Sequence, residues 1–257
     1  MNKKIVLCFD IGNTHIVIGV CIDDKIVKTF RLSTNVKLTE DEYGVTITEM
    51  LLSSGYKIED VQGLIVSSVV PPLDHTIEIM ADKYFNKKPI FVGPGLKSGI
   101  KIKLENPKQL GADLLLAAVA ARDSYSGNVI IVDLGTATKL IVVNAKSEFL
   151  GGIIAPGIIS SLNSLVSSTA KLNLPKLAAP KNVIGRDTAS CIQSGSVFGT
   201  AAMIDGLVKR IKDEIGEATV ILTGGLSELI KDSLTIPYIY DKDLLLRGLI
   251  ILYNKNK

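Results

Sequence analysis

Apolar positions in this chain come in short runs cut by charges, Gly or Pro, and their spacing alternates between strand-like and helix-like periods. The first run, Ile-Val-Leu-Cys-Phe at 5–9, is closed by Asp10 and predicts a strand over 4–10 that is buried on both faces. Runs at 15–22 and 25–32 predict two more strands, joined by the turn Asp23-Asp24. The spacing then lengthens. Thr39, with Glu42 three positions on, forms a capping box ahead of an apolar stripe at 45–52, which predicts a helix. A strand is expected at 63–70, stopped by Pro71-Pro72, then a helix to about Tyr84 and a short strand at 89–92. Asn106 as cap with Pro107 in the first turn predicts a further helix. Its body at 110–121 is apolar nearly all round and is expected to lie buried between layers.

The opening pattern then returns. Strands are expected at 129–133, 136–144 and 149–155, with a turn at 145–147, followed by helices at 158–168 and 188–215. A strand at 218–223, a Gly224-Gly225 turn, a helix at 227–231, a strand at 236–240 and a helix at 243–253 close the chain. A Pro- and Lys-bearing loop is expected at 172–182. Three strands leading into alternating helices and strands, twice over, predict an α/β protein of two similar domains, residues 1–124 and 125–257. Such an architecture is expected to take its ligand in a cleft between the halves.

Composition narrows the class of protein. Hydrophobic residues make up 47% and mean hydropathy is +0.34, yet no apolar stretch reaches the roughly 18–20 residues that span a bilayer. The apolar segment near the N-terminus is too short for a signal peptide, so none is expected. Cys8, Cys21 and Cys191 are odd in number and lie mostly in apolar surroundings, as reduced core residues of a cytoplasmic protein would. The 29 basic and 26 acidic residues are well mixed, so no nucleic-acid surface is expected.

Candidate chemistry gathers at the ends of buried strands. Asp10, Gly12, Asn13 and Thr14 end the first run, and Asp-x-Gly followed by Thr returns at Asp133, Gly135 and Thr136. A strand-end turn of this kind can offer backbone N–H groups to phosphate, with Gly admitting close approach and Asp organising a cation or water. It can equally be a turn in which Asp and Asn satisfy their own backbone, although the second copy favours function. Thr223, Gly224, Gly225 and Leu226 form either another nucleotide contact or a simple turn before a helix. There is no Walker-A sequence, and Gly93-Pro94-Gly95 is no dinucleotide fingerprint, because Ser98 holds the required Gly position. Asp113 stands about two turns into an apolar helix, either as a base for a substrate hydroxyl or on an exposed stripe. Thr188 opens a long helix and is either functional or part of an N-cap cluster. His15 reads as a turn residue and His75 as a surface one, with no partners at metal spacing.

Together and in order, these motifs resemble the type III pantothenate kinase family, the first enzyme of coenzyme A biosynthesis in many bacteria. The resemblance runs over essentially the whole chain. It is carried by Asp10-Ile-Gly-Asn-Thr14, Glu40-Asp-Glu-Tyr-Gly44, Ser67-Ser-Val-Val-Pro-Pro72 and Asn106-Pro107 leading to Gly111-Ala-Asp113. Further on come Val132-Asp-Leu-Gly-Thr-Ala-Thr138, Gly151-Gly-Ile-Ile-Ala-Pro-Gly157, Ile184-Gly-Arg-Asp-Thr188 and Thr223-Gly-Gly-Leu226.

The resemblance implies two duplicated ribonuclease-H-like domains of the acetate-and-sugar-kinase/Hsp70/actin superfamily. It implies a homodimer that phosphorylates pantothenate to 4'-phosphopantothenate with ATP and Mg²⁺, and with a monovalent cation, K⁺ or NH₄⁺. Asp10, Ile11, Gly12, Asn13, Thr14, His15, Ile16 and Val17 would hold the ATP phosphates, joined by Thr136. Asp133 would bind the monovalent cation. Asp113 would accept the hydroxyl proton within the substrate stretch Gly111, Ala112, Asp113 and Leu114, and Thr188 would touch substrate across the dimer interface. Three positions depart from the family pattern. Leu114 stands where Arg is usual, Leu104 where Tyr is usual, and Lys139 where a second Thr is usual. Losing the first two polar grips leaves two alternatives: a kinase for another small hydroxyl compound, or a homologue that binds nucleotide or pantothenate without catalysis. Lys97, Lys101 or Lys103 could restore charge, but without the planar fork of Arg.

Overall fold

The structure is a computed structural model that describes residues 4–168 and 175–257, so part of the loop expected at 172–182 lies outside the described residues. β1 (Ile5–Ile11), β2 (His15–Ile22) and β3 (Lys25–Ser33) form an antiparallel meander. The β2–β3 turn is Asp23-Asp24, with φ of 49° and 62°, a left-handed conformation that the short polar side chain of Asp tolerates. α1 (Glu40–Ser53) begins with the expected capping box. Glu42 N–H donates to Thr39 Oγ1 at 3.3 Å, and Thr39 N–H donates to Glu42 Oε2 at 2.8 Å.

The chain returns as β4 (Val61–Ser68), parallel to β1, then α2 (Pro71–Phe85) and β5 (Ile90–Phe91). β4 ends two residues before the expected limit, because Val70 is already the N-cap of α2 and proline opens the helix. Then come β6 (Lys101–Ile102) and α3 (Ala112–Ser124). The second half follows as β7 (Asn128–Leu134), β8 (Ala137–Val143), β9 (Glu148–Pro156), α4 (Ile158–Ser167) and α5 (Thr188–Ile215). β10 (Ala218–Thr223), α6 (Ser227–Ile230), β11 (Ile239–Tyr240) and α7 (Leu244–Asn256) complete it.

Topology makes the duplication explicit. One sheet runs β3-β2-β1-β4-β5, and the other β11-β10-β7-β8-β9-β6. Without the short β6, the second is the first repeated: β7 is antiparallel to β8 and parallel to β10, as β1 is to β2 and β4.

Alternation along β1 decides which helices cover which face. Ile5, Leu7, Phe9 and Ile11 join Tyr43 and Ile47 of α1 and Leu73 and Ile77 of α2 in one core. Cys8 and Ile65 face the other way, into a core with Leu115 and Leu116 of α3 and Leu246, Leu249 and Leu252 of α7. In the second sheet Ile130, Val132 and Leu134 pack with Val197, Ala201 and Ile204 of α5.

Contacts divide the chain into two compact units. The first comprises Met1–Ile100, Glu105–Ala120 and Asp243–Lys257; the second comprises Lys101–Leu104 and Ala121–Lys242. A cut after residue 124 would leave α7 with the second half, whereas its leucines pack in the first unit, and the division falls inside α3.

Candidate active site

Asp10 is the penultimate residue of β1 and lies opposite Val17 of β2 and Ser67 of β4. Even-numbered positions of β1 share the face of Cys8, so Asp10 points to the side of the first sheet that α3 and α7 cover. The β1–β2 turn is closed by Gly12 N–H donating to His15 C=O at 3.0 Å. It is clamped from β3, where Thr34 Oγ1 donates to Gly12 C=O at 2.5 Å and Thr34 N–H donates to Thr14 C=O at 3.0 Å. Ile11 and Ile16 are buried and anchor the turn, Val17 is half-buried, and Asn13, Thr14 and His15 are exposed at its tip. Across the β1–β4 pair, Ser67 is fully buried and its Oγ has no hydrogen-bond partner. His75, read as a surface residue, is exposed on α2.

The second turn has the same parts and one residue fewer. Four residues, 12–15, separate the paired Ile11 and Ile16, whereas three, 135–137, separate Leu134 and Thr138. Gly135 N–H donates to Ala137 C=O at 3.0 Å. Thr136 is exposed, and its carbonyl accepts from Gly157 N–H at 3.2 Å and Ser160 Oγ at 3.0 Å, which ties the turn to the start of α4. Asp133 lies opposite Thr223 of β10, as Asp10 lies opposite Ser67, so each half sets a hydroxyl residue beside its acid.

The shorter turn has a chemical consequence. It brings Lys139, rather than an apolar residue, opposite Asp133, and Lys139 Nζ donates to Asp133 Oδ2 at 2.8 Å. Both side chains are largely buried, at 17% and 7% exposure. Asp133, expected to hold a monovalent cation, is ion-paired within the protein.

Gly111, Ala112, Asp113 and Leu114 are all half-buried at the start of α3. Asp113 is in the first turn of α3, not two turns in. Pro107–Gln109 is a separate 3-10 turn, and the chain breaks at Leu110 and Gly111 before α3 begins. A carboxylate is stabilised there by the backbone N–H groups of the first turn and the helix dipole. Leu114 N–H donates to Asp113 Oδ1 at 2.9 Å. Ala112 and Leu115 pack in the same core as Cys8 and Val17, which sets the start of α3 on the face that Asp10 occupies.

Thr188 is the exposed first residue of α5. The cap is Asp187, whose Oδ1 accepts from Ser190 N–H at 2.9 Å. Hydrogen bonds from the Ser190 backbone and then its side chain hold the Asp187 carboxyl below its usual range. Leu104 packs beside Gly151, and Lys103 pairs with Glu148 at 3.4 Å, so the Lys103 charge is committed; Lys97 and Lys101 are exposed. The contributions of Ser67 and Lys139 come from strand register, which no single motif displays. Among the described residues, no group of three or more His, Cys, Asp or Glu could hold a metal ion, and no helix is long and apolar enough to cross a membrane.

The sequence profile of the type III pantothenate kinase family matches residues 6–210. The chain belongs to that family. A type III pantothenate kinase from Exiguobacterium sibiricum is 43% identical over 252 residues, covering 98% of this chain and 100% of the relative. Another, from an Exiguobacterium species (strain ATCC BAA-1283 / AT1b), is 45% identical over 253 residues, covering 98% and 99%.

Solved structures extend the likeness at the level of fold. Component A of (R)-2-hydroxyglutaryl-CoA dehydratase from Acidaminococcus fermentans matches with a TM-score of 0.54 at 15% identity, over 97% of this chain and 96% of that one. An inorganic polyphosphate/ATP-glucomannokinase from Arthrobacter sp. strain KM matches with a TM-score of 0.50 at 11% identity, over 99% and 100%. This type III pantothenate kinase family member thus shares its fold with these solved structures, and its two similar α/β halves match the duplicated ribonuclease-H-like domains expected above.

Proposed function

We propose that this protein transfers the γ-phosphoryl group of ATP to the hydroxyl of pantothenate, giving 4'-phosphopantothenate and ADP, the first step of coenzyme A biosynthesis. One observation carries the chemistry: Asp10, a strand-end acid beside a glycine turn, lies on the face of the first sheet that α3 covers, and the first turn of α3 carries the helical acid Asp113. Near full-length kinship with type III pantothenate kinases supplies the acceptor and disfavours both a non-catalytic binder and a kinase for another hydroxyl compound.

The exposed tip formed by Asn13, Thr14 and His15 offers backbone N–H groups to the ATP phosphates, with Asp10, Ile11, Gly12, Ile16 and Val17 holding the turn. The buried Ser67 Oγ is a further donor beside Asp10. Thr136 serves the phosphates from the second turn. Mg²⁺ bound with ATP as part of the substrate would supply charge neutralisation on its phosphates. Asp113 accepts the proton of the pantothenate hydroxyl as its oxygen attacks the γ-phosphorus and the bond to the bridging oxygen of ADP breaks. Gly111, Ala112 and Leu114 line the acceptor beside it, and catalysis rests on positioning and charge neutralisation.

Thr188 contacts substrate from a partner subunit in a homodimer. Val183 and Ile184, just before it, are 65% and 82% exposed, and such apolar side chains are natural interface material. The protein acts in the cytoplasm, where its three free cysteines would stay reduced; Cys8 and Cys21 are buried, whereas Cys191, expected in the core, is exposed on α5. The test is ADP release on adding pantothenate. Asp113→Asn should lower kcat by about 10²–10⁴-fold; normal turnover by that variant would remove the assigned base.

A further inference from the structure

The ion pair beneath the second turn puts a side-chain ammonium where a free cation is expected. Asp133 Oδ2 is taken by Lys139 Nζ at 2.8 Å. Oδ1 faces the Gly224 backbone, where even a methyl group would come within 2.6 Å. One carboxylate oxygen is therefore ion-paired within the chain, and the other lies close against Gly224. A potassium or ammonium ion approaching Asp133 would also meet the like charge of Lys139 in a site with little water to screen it. The residues present do not fit a bound monovalent cation.

We propose that the Lys139 ammonium is this protein's built-in monovalent cation, so that phosphoryl transfer needs neither K⁺ nor NH₄⁺. The proposal rests on the kinase function assigned above. An alkylammonium carries the same charge as either ion and has a head of similar size, and the side chain delivers it to one oxygen of one carboxylate. Register fixes that delivery: Lys139 on β8 is the cross-strand partner of Asp133 on β7. In the first half the corresponding partner of Asp10 is Val17, so the charge is confined to the half where the cation is expected. A tethered cation is present at saturating effective concentration and cannot be lost to dilution. Lys139 is thus a positioning residue that sets the charge balance around Asp133 beside the phosphate turn.

ADP formation with pantothenate should be followed in buffer free of K⁺ and NH₄⁺, with ionic strength held constant by tetramethylammonium chloride. The wild-type rate should be essentially unchanged when KCl or NH₄Cl replaces that salt. Lys139→Thr should lose activity on the order of a hundredfold without these ions and recover when either is added. That rescue separates a charge role from a purely structural one. Thermal melting without nucleotide gives a readout that needs no turnover: K⁺ should raise the Tm of Lys139→Thr by mass action and leave the wild type unmoved. A wild-type enzyme that requires K⁺ or NH₄⁺, or whose Tm rises specifically with K⁺, overturns the proposal. So does a Lys139→Thr protein indifferent to both ions in both measurements. If the wild type releases no ADP under any cation, the kinase assignment fails while the melting experiment still decides the origin of the cation.

Discussion

A methyl group at Gly111 would sit 2.7 Å from Asp113 Oδ1, so the missing side chain lets the carboxylate fold back onto Leu114 N–H. Gly111→Ala should push the acid out of place without removing it. A displacement of about 1 Å can cost on the order of a hundredfold in rate, so kcat should fall strongly while KM for ATP stays near the wild-type value. Steady-state kinetics with each substrate varied will check this, and an unchanged kcat would refute it. Asp113 is legible in the sequence as an acid in an apolar stretch, but its place in the first turn is not, because the helix start depends on where the chain breaks. Lys139 shows a different limit. The sequence marks it as unusual, yet its pairing with Asp133 follows from a turn of three residues. A turn as long as the first would bring Leu140 opposite Asp133, and a one-residue slip reverses every side chain along a strand.

Among the elements, α1 and α2 are joined by a polar bridge as well as by their shared core. Lys83 Nζ of α2 lies 2.6 Å from Asp41 Oδ1 of α1, and Tyr84 O–H donates to the same oxygen at 2.8 Å. The Lys83 hydrogen bond first, then that of Tyr84, holds the Asp41 carboxyl below its usual range. The stabilisation is therefore present above the ordinary carboxylate pKa and is lost as pH falls through the lowered value of the folded state. Lys83 and Tyr84 are raised, chiefly by their hydrogen bonds to Asp41, so their contribution is lost as pH rises through their elevated values. Tm measured against pH for wild type and Asp41→Asn should differ at neutral pH and converge in acid. The difference should be small, because the pair is half exposed. A gap that widens in acid would contradict the assignment. Elements with their own start chemistry, such as the Thr39 capping box, were legible directly. β6 was not, because two residues carry no period; it is recognised only by Lys101 N–H and Lys103 N–H bonding to Ser147 and Phe149 carbonyls.

For the whole molecule, the repeated Asp-x-Gly turn and the repeated three-strand opening announced the duplication, and the two sheet orders bear it out. The return of α7 to the first unit was not legible. It depends on Leu246, Leu249 and Leu252 meeting Cys8, Ile65 and Leu116, contacts between residues far apart in sequence that no local pattern encodes. If Thr188 works across a homodimer, sedimentation equilibrium should give twice the 27.5 kDa chain mass, and Ile184→Asp should weaken association and catalysis together. A fully active monomer would remove that role from Thr188. Incubation with ATP, Mg²⁺ and pantothenate, read by mass spectrometry, should yield 4'-phosphopantothenate in step with ADP, and almost none with Asp113→Asn. ADP formed without a phosphorylated pantothenate, or equal product from the Asp113→Asn protein, would contradict the account.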